Sequence, residues 1–401
     1  MAHHRAALLA VALLTVLTAC SSAGGGGDTD PERQASGQET AAARENVPSA
    51  LDDRENPAFP TPLIDPDELL SGGPPPDGIP AIDDPEFERA DQVDWLEDNE
   101  PVLSLTVEGE TRAYPLRVMT WHEIVNDVVG GVPVAVTYCP LCNSGVAFQR
   151  TVVGHGVLSF GTSGLLYADN LVMYDRQTES LWPQLTGQAS VGALTRTELI
   201  AIPMGTVAWR DFVSADPNAR VLSQETGFDR PYGTNPYTGY DDPDGDLLFG
   251  LPGDPDTRLP VKERVVGLGD GPASVAVVRS SLVGKPPLEV TVGKRHVVLW
   301  HRPGQASALD AETVAGGADI GTVGAFDPVL DGQRLHFESG GAGFVDRETG
   351  SRWDVLGRAI AGPLRGAELE PYRHLDTFWF AWVTFHPDTS LLDSTDQKAA
   401  P

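Results

Sequence analysis

Cysteine and basic residues are the scarce components of this sequence. Only three of its 401 residues are cysteine, so the chain cannot supply the four thiolates of a complete all-cysteine metal site. Lys and Arg together number 28 against 57 Asp and Glu, which gives a formal net charge of −29 at pH 7. A surface of that sign repels nucleic acid and is unfavourable beside anionic lipid headgroups. We therefore expect no nucleic-acid partner.

The sequence also lacks long apolar runs, and its most apolar stretch, near the N-terminus, is short. It covers Ala6 to Leu17, which is too short for a permanent transmembrane helix and fits the core of a signal peptide. The Leu-Thr-Ala-Cys that ends at Cys20 resembles a bacterial lipobox. That resemblance implies removal of residues 1–19 and lipidation of Cys20, which would anchor the protein to the extracytoplasmic face of the cell membrane. The alternative is an ordinary signal peptide with an incidental cysteine.

The sequence does contain the material for a large, β-rich fold. Hydrophobic residues make up 41%, with 8 Trp, 8 Tyr and 13 Phe, enough for the core of one large domain or two smaller ones. The 43 Gly and 33 Pro favour turns and strands over long helices. We predict a mainly β fold with a few short helices (α+β class), two of them at about 206–214 and 376–384.

Composition also divides the chain into segments. Residues 20–59 are small, polar and charged, and we expect a disordered tether there. The folded part is predicted as a first half at 60–222 and a second half at 258–392, joined by a linker loop rich in Pro, Gly, Asp and Tyr at 223–257. The last residues, 393–401, are predicted to be a loose tail.

The two predicted halves resemble each other in sequence. DRQTESLW from Asp175 matches DRETGSRW from Asp346 at an offset of 171 residues. Upstream, VAVTYCPLC aligns with HVVLWHRPG and places Cys139 opposite His301. A single long period of this kind indicates an internal duplication rather than a solenoid. We interpret the two DR motifs as fold-defining, because an aspartate at a turn accepts backbone amides.

The stretch TYCPLCNSG at residues 137–145 carries two of the cysteines as C-x-x-C. A capping box at 120–123 predicts a helix at 121–129, and VPVAVTY predicts a strand at 132–138. The cysteines then fall in a tight turn at the strand end. Thioredoxin-type pairs precede a helix that lowers the thiol pKa, whereas NSGVAFQR does not start a convincing helix.

Three interpretations of this cysteine pair remain open at the level of sequence. The leading one is a soft-metal site for copper or zinc, or metal-linked redox work. The second is a non-catalytic binding or scaffold module held by a Cys139–Cys142 disulfide, and the third is a thiol–disulfide oxidoreductase. Two thiolates leave a tetrahedral site incomplete, and the candidate additional ligands are His122, His301, His374 and Met204.

The linker contains a second set of candidates. Its aromatic residues predict that it packs on the folded domain, where long structured loops often bind ligands. The candidate ligand-binding residues are Arg230, Tyr232, Asn235 and Tyr237. The alternating Asp242, Asp244 and Asp246 could hold calcium, although a solvated acidic turn is the favoured interpretation.

Four stretches together resemble a known family: WHEIVND, TYCPLCNSG, FGTSGLLYADNLVMYDRQTESLW and RPYGTNPYTGYD. That prokaryotic family is described only as a domain of unknown function, often found in secreted or lipid-anchored proteins. The resemblance covers nearly all of the predicted folded region. It implies an extracytoplasmic protein and no established reaction.

Overall fold

Strands dominate the first half of the chain in the computed structural model, which describes residues 41–269, 271–341 and 343–392. The strands are β1 Leu70–Ser71, β2 Phe87–Arg89, β3 Pro101–Val107, β4 Glu110–Pro115, β5 Ile124–Val129, β6 Val132–Cys139, β7 Ser144–Gln149, β8 Thr151–Val152, β9 Gly156–Val157, β10 Phe160–Tyr167, β11 Asn170–Asp175, β12 Leu181–Pro183, β13 Ala201–Ile202, β14 Met204–Ala208 and β15 Arg220–Leu222. Two short helices accompany them, α1 Leu116–His122 and α2 Trp209–Ala215.

The second half has the same character. Its strands are β16 Arg264–Leu268, β17 Val275–Val278, β18 Leu288–Val292, β19 Arg295–Arg302, β20 Thr322–Phe326, β21 Val329–Leu330, β22 Gln333–Arg334, β23 Phe337–Gly340, β24 Gly343–Asp346, β25 Arg352–Trp353, β26 Ala359–Ala361, β27 His374–Phe378 and β28 Ser390–Leu392. Its α-helix is α3, Trp379–Phe385. The predicted fold class, mainly β with short helices, is confirmed, and α2 and α3 lie within a few residues of the predicted helices.

The strand orders of the two halves correspond sheet by sheet. The order β14-β3-β4-β15-β2 in the first half corresponds to the order β27-β16-β17-β28 in the second. The order β7-β6-β5 likewise corresponds to β20-β19-β18. The hairpin sheet β10-β11-β12 likewise has a counterpart in β23-β24-β25. In each half an α-helix directly follows an edge strand: α2 follows β14 in the first half, and α3 follows β27 in the second. Duplication of an ancestral half remains a prediction about origin.

Each DR motif uses its aspartate to fix a turn. Asp175 accepts a hydrogen bond from the Thr178 amide at 2.6 Å and another from Trp182 Nε1 at 3.0 Å. Asp346 makes the equivalent two bonds, at 2.6 Å to an amide and at 2.9 Å to the Trp353 indole. The tryptophans are fully buried, so each motif ties a sheet turn to the core below it.

The helix predicted at 121–129 is wrong in position. Helix α1 ends at His122, and Thr120 lies inside it, where its hydroxyl donates to the Leu116 carbonyl at 2.7 Å. Glu123 terminates the helix in a left-handed conformation, φ 60°. The following six residues form β5, antiparallel to β6. Their valines and isoleucine are buried in the sheet for most of this stretch, and β-branched side chains favour that setting.

Residues 41–59, which the sequence assigns to the tether, lie against the first half. The Ala42 amide donates to the Val157 carbonyl at 2.9 Å, and Ala50 is fully buried. The predicted start of the folded region at Pro60 is therefore too late. Small side chains are compatible with close packing on a sheet surface, so a composition typical of a tether was misleading.

The predicted signal peptide at 1–19, the lipidated Cys20 and the tail at 393–401 lie outside the described residues. Within the described part of the chain, none of the helices has the length and apolar character needed to cross a membrane.

The largest hydrophobic cluster is shared by the two halves. Val136 and Phe148 come from the first half, and Phe378 and Trp382 come from the second. At the junction, the Cys142 carbonyl accepts a hydrogen bond from the Phe378 amide at 3.0 Å. The fold therefore places the cysteine turn in the interior, where the two halves meet.

Candidate functional site

The two cysteines lie side by side at the end of β6. Cys139 is the last residue of that strand, and Cys142 occupies the turn that leads into β7. Both are free thiols, 1% and 0% exposed, and the Cys139 thiol contacts Cys142 Sγ at 3.1 Å. Asn143 completes the turn with φ 50°, a conformation that asparagine tolerates better than most residues. The predicted strand and turn therefore bring the two sulfur atoms into contact.

The tip of the β10–β11 hairpin covers the thiols with polar groups. The Asn170 side-chain amide donates to Cys142 Sγ at 3.0 Å, and the Leu171 backbone amide donates to Cys139 Sγ at 3.4 Å. The Cys142 thiol in turn donates to the Asp169 carbonyl at 3.4 Å. Burial raises the pKa of the Cys142 thiol, and the hydrogen bond from Asn170 opposes that shift.

Asp169, at the hairpin tip, places a buried carboxyl group beside the pair. Asp169 is 0% exposed. Its Oδ2 accepts a hydrogen bond from the Tyr240 hydroxyl at 2.8 Å, whereas its Oδ1 has no hydrogen-bond partner among the described residues. Burial raises the pKa of Asp169 to about 7, against the opposing effects of the Tyr240 hydrogen bond, the Lys262 charge and the Phe249 backbone amide. This carboxyl can therefore gain or lose a proton near neutral pH.

Glu123 supplies a second buried carboxyl group, from the end of α1. Its backbone carbonyl accepts from the Tyr138 amide at 2.8 Å, so it lies next to the strand that carries Cys139. The Glu123 side chain is 6% exposed, and within the described part of the chain its carboxyl has neither a hydrogen-bond donor nor an ionic partner. Burial raises its pKa to about 8. Unpaired buried carboxyls of this kind are rare outside functional sites.

The linker packs on the folded domain, as its aromatic content predicts, and one of its tyrosines lies at the cysteine pocket. Tyr240 is buried on the hairpin tip through its bond to Asp169, and Lys262 Nζ donates to the Tyr240 carbonyl at 2.6 Å. Burial raises the pKa of the Tyr237 hydroxyl, and so do the negative charges of Glu123 and Cys139. Tyr237 therefore lies within electrostatic reach of a carboxyl and a thiol of the site.

Two of the predicted residues meet at a neighbouring position. His122 Nδ1 is 2.7 Å from the Pro80 carbonyl and Nε2 is 2.6 Å from the Tyr232 hydroxyl. A carbonyl can only accept, so Nδ1 carries the proton and Nε2 accepts from Tyr232. Burial and the nearby Arg230 charge lower the pKa of His122. Both imidazole nitrogens are therefore occupied, and His122 would have to release Tyr232 to bind a metal.

The remaining predicted ligands are held by other partners. His301 Nε2 is 2.9 Å from the Ile320 carbonyl, and His374 Nδ1 is 3.1 Å from the Tyr372 carbonyl. Met204 lies at the start of β14, opposite Leu105 of β3. Among the described residues, none of these three side chains makes a hydrogen bond to either cysteine. Asn235 is a structural residue, since its amide donates to the Ala311 carbonyl at 2.9 Å.

Within residues 41–269, 271–341 and 343–392, no group of three or more His, Cys, Asp or Glu is arranged to hold a metal ion. Asp242 caps its own turn on the protein surface by accepting from the Asp244 amide at 3.1 Å. The copper, zinc and calcium predictions therefore remain predictions.

Four residues of the pocket were not singled out by the sequence analysis: Glu123, Asp169, Asn170 and Tyr240. Each lies in a motif quoted for the family resemblance, in WHEIVND, YADN or NPYTGYD. The signal was therefore present as acidic and amide residues within distinctive motifs. What the sequence could not indicate is that these motifs converge on TYCPLCNSG.

A family model described as "Protein of unknown function (DUF3179)" matches residues 76–389, which include most of both halves, the cysteine turn and the linker. The chain belongs to the DUF3179 family. No curated protein and no solved structure matches the chain. Membership in DUF3179 confirms the predicted family and assigns no reaction, so the function has to be argued from the pocket itself.

Proposed function

We propose that this DUF3179 protein is a thiol–disulfide redox protein whose working group is the Cys139–Cys142 pair. The proposal is supported by the 3.1 Å separation of the two sulfur atoms in a pocket with two carboxyl groups of near-neutral pKa, about 7 and about 8. Thiols this close form a disulfide after small side-chain rotations. The extracytoplasmic location indicated by the N-terminal sequence provides oxidising conditions.

The proposed step is an exchange with a disulfide-containing partner. One cysteine thiolate attacks a partner sulfur, a mixed disulfide forms, and the partner's first thiolate leaves. The second cysteine then attacks its neighbour's sulfur, which closes the Cys139–Cys142 bond and releases the partner's second thiolate. Two electrons pass to the partner. The two protons lost by the cysteines are taken up by the two partner thiolates, and the reverse reaction reduces the pair.

The buried carboxyls give this exchange a route for its protons. Burial raises the pKa of the Cys142 thiol, so an unaided thiolate is unfavourable there. Asp169 lies at the hairpin turn that contacts Cys142, and its free Oδ1 provides an acceptor whose pKa is about 7. In our proposal Asp169 accepts the proton as Cys142 reacts, and the Asn170 amide stabilises the sulfur anion.

In our proposal, the segments that cover the cysteine pair control access to it. Both thiols are buried beneath the hairpin tip and beneath Tyr240 of the linker. We therefore propose a small thiol or disulfide compound as partner, or a protein disulfide admitted by displacement of the linker. An exposed cysteine pair of the thioredoxin type would require neither a small partner nor displacement of a covering segment.

The test is a redox titration of the thiols in the folded protein. The protein is equilibrated with mixtures of reduced and oxidised glutathione, alkylated and weighed by mass spectrometry. We expect both thiols to disappear together at a defined ratio, while Cys139→Ser and Cys142→Ser each lack that transition. A pair that stays fully reduced, or a disulfide that reductant cannot open without unfolding, would refute the proposal; the latter outcome supports a structural staple.

A second candidate is the soft-metal site predicted from the sequence. Its specific support is that two buried oxygen acceptors beside the thiols, Asp169 Oδ1 and Asn170 Oδ1, have no donor among the described residues, and a bound cation would satisfy them. Elemental analysis of anaerobically purified protein and of the double Cys139→Ser/Cys142→Ser variant tests this candidate. About one copper or zinc per wild-type chain and none in the variant would support it, while equal metal content would eliminate it.

We further propose that Cys20 carries the lipid anchor implied by the lipobox. Partition of the full-length protein into the detergent phase of a cloud-point separation, lost in Cys20→Ala, is the expected result. Detergent partition that survives the substitution would contradict lipidation at this residue.

A further inference from the structure

A cavity of about 520 Å³ lies between the first and second halves, and none of the residues described at the dithiol pocket lines it. One side is formed by α2 and the other by the sheet β23–β26. Four of the chain's 28 basic residues line it, namely Arg210, Arg302, Arg352 and Arg358. This concentration is unexpected in a protein with a net charge of −29.

Two of the arginines are only partly neutralised by neighbours. Arg302 Nη1 is 2.9 Å from Asp211 Oδ1, and Arg358 Nε is 3.2 Å from Glu368. Arg358 also donates to the Ala215 carbonyl at 2.9 Å. These contacts use Nη1 of Arg302 and both Nε and Nη1 of Arg358, and a guanidinium has five N–H donors. Donors therefore remain for a ligand.

The other two arginines are less satisfied still. The Arg352 guanidinium has no hydrogen-bond or ionic partner among the residues that the structure describes. Arg210 donates to the Pro303 carbonyl at 2.6 Å, but its buried Nε lies 3.7 Å from Asp211 Oδ1 and has no hydrogen-bond partner in the same described set. Asp354 also lines the cavity and interacts electrostatically with Arg358, so four guanidinium groups there face three carboxyl groups, those of Asp211, Asp354 and Glu368. A surplus of guanidinium groups around one cavity suits a planar or tetrahedral oxyanion.

The cavity also holds an unused acceptor. Asp211 is 6% exposed, lines the cavity, and within the described ranges its Oδ2 has no hydrogen-bond partner. An unpartnered acceptor at this depth is unfavourable unless something donates to it. The Arg302 bond leaves this oxygen free, so a hydroxyl of a bound molecule could donate to it.

We propose that this cavity binds a small organic oxyanion, one that presents carboxylate or phosphate oxygens to the arginines and a hydroxyl to Asp211. The volume lies in the range of small-molecule sites. A nucleic-acid chain is disfavoured because the surrounding surface is strongly acidic. Ligands of this class would bridge the halves, since Arg210 belongs to the first and Arg352 to the second.

The experiment is isothermal titration of the purified protein with citrate and, separately, with inorganic phosphate. Citrate carries carboxylates and a hydroxyl, whereas phosphate tests the anion alone. We expect saturable citrate binding that is weakened by about tenfold or more in Arg352→Gln. Arg352 is exposed and makes no described ion pair, so its loss should not disturb folding. Arg295→Gln, which replaces an exposed arginine of the same half that likewise makes no described ion pair and lies outside the cavity, is the matched control.

Asp211→Asn separates the two parts of the proposal. If Asp211→Asn loses affinity for citrate and retains affinity for phosphate, the hydroxyl contact is supported. If the wild-type protein binds phosphate more tightly than citrate, the site is assigned to phosphorylated ligands. If neither anion binds at millimolar concentration, or if Arg352→Gln and Arg295→Gln behave alike, the proposal is overturned. The titration does not involve the cysteines, so its outcome is independent of the redox assay.

Discussion

Replacing Glu123 by glutamine should stabilise the protein in alkaline solution and have little effect in acid. Burial without a partner raises the pKa of the Glu123 carboxyl from its ordinary value of 4.5 to about 8. Between those two pH values the unfolded chain has released this proton while the folded chain still holds it. Folding stability therefore falls as the pH rises through this window.

The size of the effect follows from the same two values. The interval from 4.5 to about 8, at about 1.4 kcal/mol per pH unit, corresponds to a loss of about 5 kcal/mol from this one group. The loss is complete once the pH exceeds about 8. A glutamine side chain does not titrate, so the variant escapes the loss and keeps a side chain of the same shape.

Urea unfolding of wild-type and Glu123→Gln proteins at about pH 5 and about pH 9 measures the difference. The control is Glu108→Gln, which removes an exposed carboxylate from another left-handed position, φ 48°. We expect the gain at high pH only for position 123. If Glu123→Gln is destabilised at about pH 9, or if its pH dependence matches that of the control, the carboxyl is solvated or paired and the reasoning is refuted.

Two further predictions concern single hydrogen bonds. Trp182→Phe and Trp353→Phe each remove an indole N–H bond to an aspartate, of 3.0 Å and 2.9 Å respectively. Each substitution should lower the free energy of unfolding by about 1–3 kcal/mol. Unequal urea midpoints would show that the two hydrogen bonds contribute differently to stability. Tyr240→Phe removes a bond that lowers the pKa of Asp169, so that pKa should rise above about 7. A carboxyl ¹³C titration by NMR checks the direction, and a lower value would contradict it.

The parts of the fold that could be predicted are those set by local patterns. Alternating β-branched residues marked β6, and the turn residues after Cys139 placed the cysteines correctly at a strand end. Helix α1 was misplaced because Thr120 and Glu123 satisfy a capping pattern that the structure does not use. Tertiary burial of residues 124–129 in a sheet outweighed that local preference.

The site itself could be predicted only in part. C-x-x-C identified the sulfur pair, because the two thiols are close in sequence and their contact is local. Glu123 and Asp169 reach the pair from a helix end and from a hairpin tip, and no spacing rule connects them to Cys139. The histidines were proposed from residue type together with their position in the repeat or before the strand. Neither criterion indicates hydrogen-bond partners, and both ring nitrogens of His122 are occupied, by Pro80 and Tyr232.

The asymmetry between the halves is structural as well as chemical. The β10–β11 hairpin pairs from Phe160↔Asp175 to Tyr167↔Asn170, whereas β23–β24 pairs only from Phe337↔Asp346 to Gly340↔Gly343. Both hairpins therefore start at a DR-motif aspartate, but the first extends further beyond it. That additional length carries Asp169 and Asn170 to the thiols.

Backbone strain is concentrated at the same place. Of the nine non-glycine residues with positive φ among the described residues, four surround the thiols: Glu123, Asn143, Ala168 and Asp169. Beyond the linker, Asp331 alone in the described part of the second half has such a conformation. Residues in such conformations and a buried carboxyl without a partner reduce stability and persist where something other than stability maintains them. The second half builds matching sheets without this cluster, so the sheet architecture does not require it, and this supports the dithiol function that we propose.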